Sequence, residues 1–216
     1  MRNLSPLEAR VLGVLVEKRH TVPDTYPLSL NAIVAGCNQK TARAPVIEAS
    51  DAEVLTAVDG LKSLSLVFEG SSSRVVKFEH NLGRVQGVPE SAVAVLAVLM
   101  LRGPQTAAEL RLNCERLHRF VDIAAVEAVL DELAERFPPR AVKLARAAGS
   151  REARWAHLLC GEVAQASAPM ASDVPMGVSA GELAAIKAEQ TRLADEVSDL
   201  RALVQRMASE LGIETP

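Results

Sequence analysis

One stretch, residues 50–79, constrains the fold more than any other, because its apolar periodicity changes once from helical to β-type. Ser50 can cap a helix, and Glu53 follows three residues later, where its carboxylate can reach back to the Ser50 backbone N–H. The apolar residues that come next recur at helical spacing, and they are Val54, Val58 and Leu61. The pattern predicts an amphipathic helix that begins at Ser50.

The end of this stretch has the pattern of a hairpin. Residues 66–69 and 74–79 are rich in Val and Phe, and a Gly-Ser segment separates them. Two further helices are predicted upstream, and each begins after a serine cap, Ser5 or Ser29. Three helices followed by a hairpin are the plan of a winged-helix domain, so we predict that fold for residues 1–87.

Residues 88–160 repeat the same order of elements. The helix predicted over 90–101 is apolar nearly all round, so we expect it to be buried on more than one side and to pack against both units. Thr106 and Asp122 can cap the two helices that follow. A hairpin is predicted over 141–158, which completes a second winged-helix domain.

Beyond these domains the composition changes twice. Residues 161–180 are rich in Ala, Ser, Pro and Gly and are predicted to be a flexible linker. Residues 181–213 carry heptads typical of a parallel two-stranded coil, either in a homodimer or with another coiled-coil partner. The alternative is a helix that folds back on its own protein. The core positions assigned to dimerisation are Leu183, Ile186, Gln190, Leu193, Val197, Leu200, Val204, Met207 and Leu211.

The predicted fold class is therefore mainly α with small β-hairpins (α+β), with two tandem winged-helix domains plus a C-terminal coiled-coil helix. The 216 residues are 49% apolar but only 3% aromatic, so we expect cores of Leu, Val and Ala. The net charge is −3, and the acidic excess lies in residues 162–216, which argues against a general polyanion binder.

The expected location is the cytoplasm, without a membrane partner. No signal peptide is recognisable at the N-terminus. The longest apolar run, residues 92–101, is half the length that a membrane span needs, about 20 residues.

Eight short segments carry a resemblance to a known family. In the first unit they are LSPLEARVLG at 4–13, EK at 17–18, YPLSLNA at 26–32 and CNQK at 37–40. In the second unit they are RGPQT at 102–106, ELR at 109–111, ERLH at 115–118 and REARWAHLL at 151–159. Together they resemble the YceH-like proteins, an uncharacterised bacterial family with two winged-helix domains in tandem.

The resemblance covers about residues 3–160 and implies the tandem fold, but it supplies no catalytic residues. The chain departs from the family pattern at Gly36, where we expect Ala, and at Ala44, where we expect an acid. Either change could loosen the chain locally without changing the fold.

The third helix of each predicted winged-helix domain does not have the residues of a helix that reads bases in the DNA major groove. Such a helix normally brings Arg, Lys, Asn or Gln to base edges. The helix after Ser50 instead carries Asp51, Glu53 and Asp59 against Lys62, and the helix after Asp122 is richer still in acids. Some of these acids are also explained as caps and first-turn charges. We predict that neither helix reads bases.

Basic residues lie instead in the wings and loops. If they share one face, they could hold a phosphate backbone without reading bases. The alternative is a solvated surface with internal pairs such as Arg111 with Glu115. The residues assigned to nucleic-acid contact are Lys40, Arg43, Arg74, Lys77, Arg111, Arg116, Arg119, Arg140, Lys143, Arg146, Arg151 and Arg154.

No constellation typical of an enzyme is recognisable. No carboxylate or cysteine is placed to pair with His118 or His157, and no Gly-rich phosphate loop appears. The three cysteines are far apart in the sequence. We therefore expect each to be a small buried apolar side chain rather than a metal ligand or part of a disulfide. We therefore expect no catalysis, no cofactor, no metal and no small-molecule substrate.

Two functions remain. The leading hypothesis is a regulatory protein that contacts double-stranded DNA through its wings and basic loops. The alternative is a protein-interaction scaffold that uses the winged-helix surfaces and does not bind DNA, as the acidic helices allow.

Overall fold

The structure, a computed structural model, describes residues 2–70, 75–146 and 152–163. These residues belong to one compact unit. About half of them are helical and two small sheets are antiparallel, so the architecture is mixed α+β. The predicted coiled coil with its nine core positions from Leu183 to Leu211, most of the predicted linker, Arg74 and Arg151 lie outside the described residues.

The first half contains three helices and a three-stranded sheet. The helices are α1 (Pro6–Thr21), α2 (Leu30–Cys37) and α3 (Asp51–Ser63), and the strands are β1 (Leu28–Ser29), β2 (Val67–Gly70) and β3 (Lys77–His80). The sheet has the order β1-β3-β2. The predicted hairpin is confirmed as β2 and β3, whereas β1 was not predicted, because two residues are too few to show a period.

The second half contains four helices and a two-stranded sheet. They are α4 (Leu82–Gln86), α5 (Glu90–Arg102), α6 (Ala107–Asn113), α7 (Ile123–Glu135), β4 (Ala141–Lys143) and β5 (Trp155–His157). No helix or strand was predicted between the first hairpin and the helix over 90–101, but α4 lies there with Leu82 fully buried. A five-residue helix is too short to show its period in the sequence.

The predicted helix starts are confirmed by their caps. Ser5, Ser50 and Thr106 each accept a hydrogen bond from the backbone N–H three residues on, and a glutamate there reaches back to the cap. Asp122 accepts from the Ala125 N–H at 2.8 Å. Each such cap contributes about 1 kcal/mol to helix stability.

The second half repeats the element order of the first. Helices α5, α6 and α7 follow the order of α1, α2 and α3, and each set ends in a hairpin. Gln105 and Trp155 exchange backbone hydrogen bonds of 3.0 and 2.7 Å, which makes Gln105 the counterpart of β1 pairing with β3. The weak repeat in the sequence thus reappears in the hydrogen bonding. The division into two domains at residue 87 stays a prediction.

Helix α5 joins the two halves of the core. All its residues from 92 to 101 are buried, as the all-round apolar sequence predicts, and the buried side chains form one continuous cluster. Helix α5 packs against α1 and α7. Leu101 lies so close to α1 that a Cβ on Gly13 would stand 2.9 Å from the Leu101 Cγ.

The first residues are also bonded to a segment near the end of the described chain, since the Leu4 N–H donates to the Leu159 carbonyl at 2.8 Å.

Candidate functional site

A groove of about 580 Å³ lies between the start of α2, helix α3 and the β2–β3 hairpin. We call it the α3 groove. Its apolar side chains are Leu30, Leu55, Val75, Val76 and Phe78. Leu55, Val75 and Val76 are 42%, 57% and 48% exposed although they are large and apolar. Clustered exposed apolar side chains on a small protein are a feature of interaction sites.

The charges of the α3 groove are largely paired with one another. The Lys62 ammonium lies 2.5 Å from a Glu69 carboxylate oxygen and 3.6 Å from one of Asp59. Two carboxylates therefore share one cation, and the groove keeps a net negative charge. A polyanion would be repelled there, whereas an apolar surface that carries a basic residue would be attracted.

The acids at the start of α3 are explained by helix capping. Glu53 accepts hydrogen bonds from the Ser50 N–H at 2.8 Å and from the Ser50 hydroxyl at 2.7 Å. These bonds hold the pKa of Glu53 below its ordinary value. Glu53 and the exposed Asp51 and Asp59 give α3 an acidic outer face. This face supports the expectation that α3 does not read bases.

Arg43 is buried rather than exposed. Its guanidinium lies 3.1 and 2.6 Å from the two Glu17 carboxylate oxygens, and its Nε donates to the Gly36 carbonyl at 3.0 Å. Burial alone would raise the pKa of Glu17, but the hydrogen bonds and charge of Arg43 hold it below its ordinary value. Arg43 thus stabilises the loop after α2 and is not presented to a phosphate in this arrangement.

Three other assigned basic residues are partly used inside the fold. Arg154 lies 3.1 Å from a Glu109 carboxylate oxygen and donates to the Pro104 carbonyl at 2.8 Å. Arg111 donates to the Val121 carbonyl, and not to Glu115 as the internal-pair alternative supposed. Burial, followed by the charge of Arg136, lowers the pKa of Arg140.

The remaining assigned residues are more open. Lys40, Arg116, Arg119, Lys143 and Arg146 are exposed, and Lys77 is half-buried on β3. On the second hairpin Lys143 is paired with Trp155, and the Lys143 ammonium lies 5.4 Å from the centre of the Trp155 ring. Trp155 itself is buried.

The cysteines behave as small apolar side chains. Cys37 and Cys114 are buried, and burial raises the pKa of their thiols to about 11 and about 12. Within the described ranges, no three His, Cys, Asp or Glu residues are grouped so that they could hold a metal ion. The same part of the chain has no helix of the length and apolarity that a bilayer span requires.

Sequence reasoning missed the apolar members of the α3 groove. Leu55 lies four residues from Asp51 and four from Asp59, so it belongs to the polar side of a capped helix. An apolar residue on the polar side of a helix indicates an exposed apolar surface, so Leu55 could have pointed to the α3 groove. Val75 and Val76 carried none, because residues of an alternating strand pattern are expected to be half-buried.

Comparison with known proteins places the chain in a family. A family model described as "Protein of unknown function, DUF480" matches residues 4–151. The chain belongs to the DUF480 family. Its relatives include a UPF0502 protein of Burkholderia multivorans, 67% identical over 215 residues, and one of Burkholderia cenocepacia, 66% identical over 219 residues. In both cases the alignment covers 99% of this chain and 92% of the relative.

DUF480 and UPF0502 denote uncharacterised bacterial proteins, so membership carries no activity or partner. A third relative, a UPF0502 protein of Paraburkholderia phytofirmans, is 65% identical over 214 residues. The match to the DUF480 model includes the α3 groove and the Arg43–Glu17 pair. The YceH-like name and the tandem winged-helix fold that it implied stay predictions.

Proposed function

We propose that this DUF480 protein is a non-enzymatic, cytoplasmic, tandem winged-helix protein that docks another protein in the α3 groove. The winged-helix assignment is supported by the repeated order of three helices and a hairpin. In both halves a further segment, β1 or the single residue Gln105, pairs with the second strand of the hairpin. The docking function rests on one observation, the exposure of Leu55, Val75 and Val76 beside a net negative charge.

The charge of the groove defines the chemistry of the partner. Its apolar side chains suit an amphipathic segment that buries two or three apolar residues. The unshared carboxylate charge of Asp59 and Glu69 favours a segment with a neighbouring Lys or Arg. The proposed partner is therefore a protein segment that is apolar on one side and basic at its edge.

A photo-crosslinking residue at position 55 tests this proposal. In cells, a crosslinker that replaces Leu55 should trap one defined protein with an apolar and basic contact segment. The same crosslinker at Leu112, which is 67% exposed on α6 and outside the groove, should not trap it. Equal products at both positions would show that the groove is not the docking site.

Purified components make the test quantitative. Leu55→Asp should weaken binding of the trapped protein at least about tenfold, because it places a charge in an apolar contact. Leu112→Asp is the matched control and should leave the affinity unchanged. The affinity should fall little as salt rises, since the contact is mainly apolar. A wild-type affinity in the Leu55→Asp variant would refute the groove as the binding surface.

A second candidate function, DNA contact through the basic loops, is favoured by one observation. Arg116 and Arg119 are both exposed in the segment before α7, and no carboxylate among the described residues lies within ion-pair distance of either. Such residues could hold phosphates without reading bases.

Fluorescence polarisation of a labelled duplex of random sequence separates the two functions. A DNA-binding protein should bind at low salt and lose affinity steeply near physiological salt. The double variant Arg116→Glu/Arg119→Glu should abolish that binding, whereas Leu55→Asp should not affect it. Failure to bind at low salt would leave protein docking as the sole candidate.

Dimerisation through residues 181–213 completes the proposal. The heptads from Leu183 to Leu211 support a two-stranded coil. Sedimentation equilibrium of the full chain should give twice the chain mass, and Leu193→Asp/Leu200→Asp should give the monomer. A wild-type monomer at micromolar concentration would contradict pairing.

A further inference from the structure

A second cavity, of about 520 Å³, lies between α1, the loop after α2, the end of α5 and residues 156–163. It shares no lining residue with the α3 groove. Its apolar wall includes Leu7, Ala9, Ile47, Leu99, Met100 and Val163. This volume is within the range of cavities that hold small molecules, roughly 300–1,000 Å³.

One charged side chain in the wall of this cavity is buried, and no opposite charge from the described ranges is paired with it. Arg10 of α1 lines the cavity and is 4% exposed. Its two terminal nitrogens donate to the Cys37 carbonyl at 3.2 Å and the Pro45 carbonyl at 2.7 Å. Its Nε is buried and has no hydrogen-bond partner among the described residues. Arg10 is thus held by neutral carbonyl groups and retains an unused donor.

The neighbouring ion pair does not neutralise Arg10. Arg43 is close enough for its positive charge to lower the pKa of Arg10, in addition to the larger lowering by burial. The Glu17 carboxylate is bound by Arg43. The Glu17 carboxylate therefore compensates the charge of Arg43 and leaves that of Arg10 uncompensated. An unpaired buried charge is costly, and an anion brought to it restores much of that free energy.

The cavity has a second unused polar group. His157 of β5 lines it, and within the part of the chain that the structure describes the buried His157 Nδ1 has no hydrogen-bond partner. Burial lowers the pKa of His157 to about 4, so its ring is neutral near pH 7 and can still donate one hydrogen bond. Three acids, Glu48, Glu53 and Glu162, also border the cavity, but all three are exposed and screened by water.

We propose that this cavity binds a small apolar carboxylate, with the carboxylate group at Arg10 and the apolar body against the wall. A carboxylate can accept a charge-assisted hydrogen bond from the free Nε of Arg10. The apolar wall favours an alkyl or aryl body over a hydrophilic one. This site is independent of protein docking in the α3 groove, because the two share no residue.

Isothermal titration calorimetry of the full-length protein with octanoate and with 1-octanol tests the proposal. The two probes have the same alkyl chain, and only octanoate is an anion at pH 7.5. We expect octanoate to bind at least about tenfold more tightly, as a charge-assisted hydrogen bond implies. Equal affinities, or binding of neither probe, would overturn the proposal.

Arg10→Met keeps the length of the side chain and removes its charge. It should reduce the affinity for octanoate to that for 1-octanol and leave 1-octanol within about twofold. The matched control is Arg84→Met, which removes an exposed arginine from α4 and should change neither affinity. A folded Arg10→Met variant that still prefers octanoate would show that Arg10 does not bind the anion.

A second variant keeps the test decisive if Arg10→Met does not fold. Ala49 is half-buried in the cavity wall and lines no other site described above. Ala49→Phe should fill part of the cavity and weaken both probes at least about tenfold, while circular dichroism confirms the fold. Unchanged binding of both probes would place their site elsewhere.

Discussion

Arg43 and Glu17 form a buried ion pair between the loop after α2 and helix α1. The Arg43 side chain is fully buried and bonds both Glu17 oxygens. A buried pair of this kind adds little net stability compared with apolar residues, but removal of one partner leaves the other charge buried alone. The pair therefore affects the free energy of unfolding mainly when one of its two partners is removed.

Arg43→Met should lower the free energy of unfolding by about 3 kcal/mol, because it removes both hydrogen bonds to the Glu17 carboxylate and leaves it only Lys18, 3.3 Å away, as a cation. Urea denaturation of the purified protein measures this change. Lys40→Met is the control in the same loop: Lys40 is exposed, so its removal should cost less than about 0.5 kcal/mol. If both variants cost the same, the burial of Arg43 does not contribute to the fold.

His80 and His157 make the fold sensitive to mild acid. Burial lowers the pKa of each to about 4, whereas a histidine in the unfolded chain has a pKa of about 6.5. Between these values the unfolded chain binds protons that the folded protein does not. Stability is therefore full above about pH 6.5 and falls as the pH decreases towards 4.

The free energy of unfolding from urea denaturation should fall from pH 7 to pH 5, with a limiting slope of about 1.4 kcal/mol per pH unit for each histidine. His157→Gln should remove a large part of this dependence and leave the part due to His80 and to His20, whose pKa burial also lowers. Carboxylates titrate mainly below this range and do not confuse the result. A pH-independent midpoint between 7 and 5 would contradict the burial of both rings.

Which charges are buried could not be predicted from the sequence. Arg43 was assigned to nucleic-acid contact because a loop residue is normally exposed. Arg10 was not assigned to any site, although it interrupts an apolar run in α1. Both arginines become buried only because the loop after α2 folds back over α1, which is a long-range contact without a local pattern.

Helices α1 and α2 cross closely at Gly36. A Cβ on Gly36 would stand 2.5 Å from Cγ1 of Val14, which is closer than two carbon atoms can approach. Val14 is β-branched and fully buried, so its side chain has little freedom to move. This contact explains why Gly stands where the family resemblance suggested Ala. The residue tightens the packing of two helices rather than loosening the chain.

Gly36→Ala should destabilise the protein by about 1–3 kcal/mol, as overpacking of a core does. In the double variant Gly36→Ala/Val14→Ala the added methyl group has room, so the cost should be smaller than the sum of the two single changes. A double-mutant cycle by urea denaturation measures this coupling. Strict additivity would mean that the two residues do not meet.

The secondary elements were more predictable than the sites. Caps at Ser5, Ser50, Thr106 and Asp122 mark helix starts by local hydrogen bonds, so they are legible in the sequence. The short elements β1 and α4 were missed because their partners, and not their own residues, determine them. The α3 groove was missed for a similar reason, since exposure depends on what packs nearby.

The two halves of the described unit share one core through α5. The buried cluster runs from α1 across α5 to α7 and Trp155. Separate domains would unfold independently, whereas a shared core couples their unfolding. Trp155, the single tryptophan of the chain, reports on the second half alone.

Leu12→Ala, a change in α1, should lower the urea midpoint seen by Trp155 fluorescence. The expected cost is about 2–5 kcal/mol, typical of a buried leucine. Leu130→Ala in α7 should shift the same transition to a similar extent, and exposed Leu112→Ala should not. If Leu12→Ala left the urea midpoint of the Trp155 transition unchanged, the two halves would be independent folding units.

The backbone hydrogen bond from Leu4 to Leu159 has a consequence for biosynthesis. Translation adds about 5–20 residues per second, so Leu159 is made roughly 8–30 s after Leu4. During that interval the ribosome holds a chain whose apolar α1 still lacks part of its covering. The nascent chain therefore depends on α5, the first large apolar element to emerge after the hairpin, to shield α1 before synthesis ends.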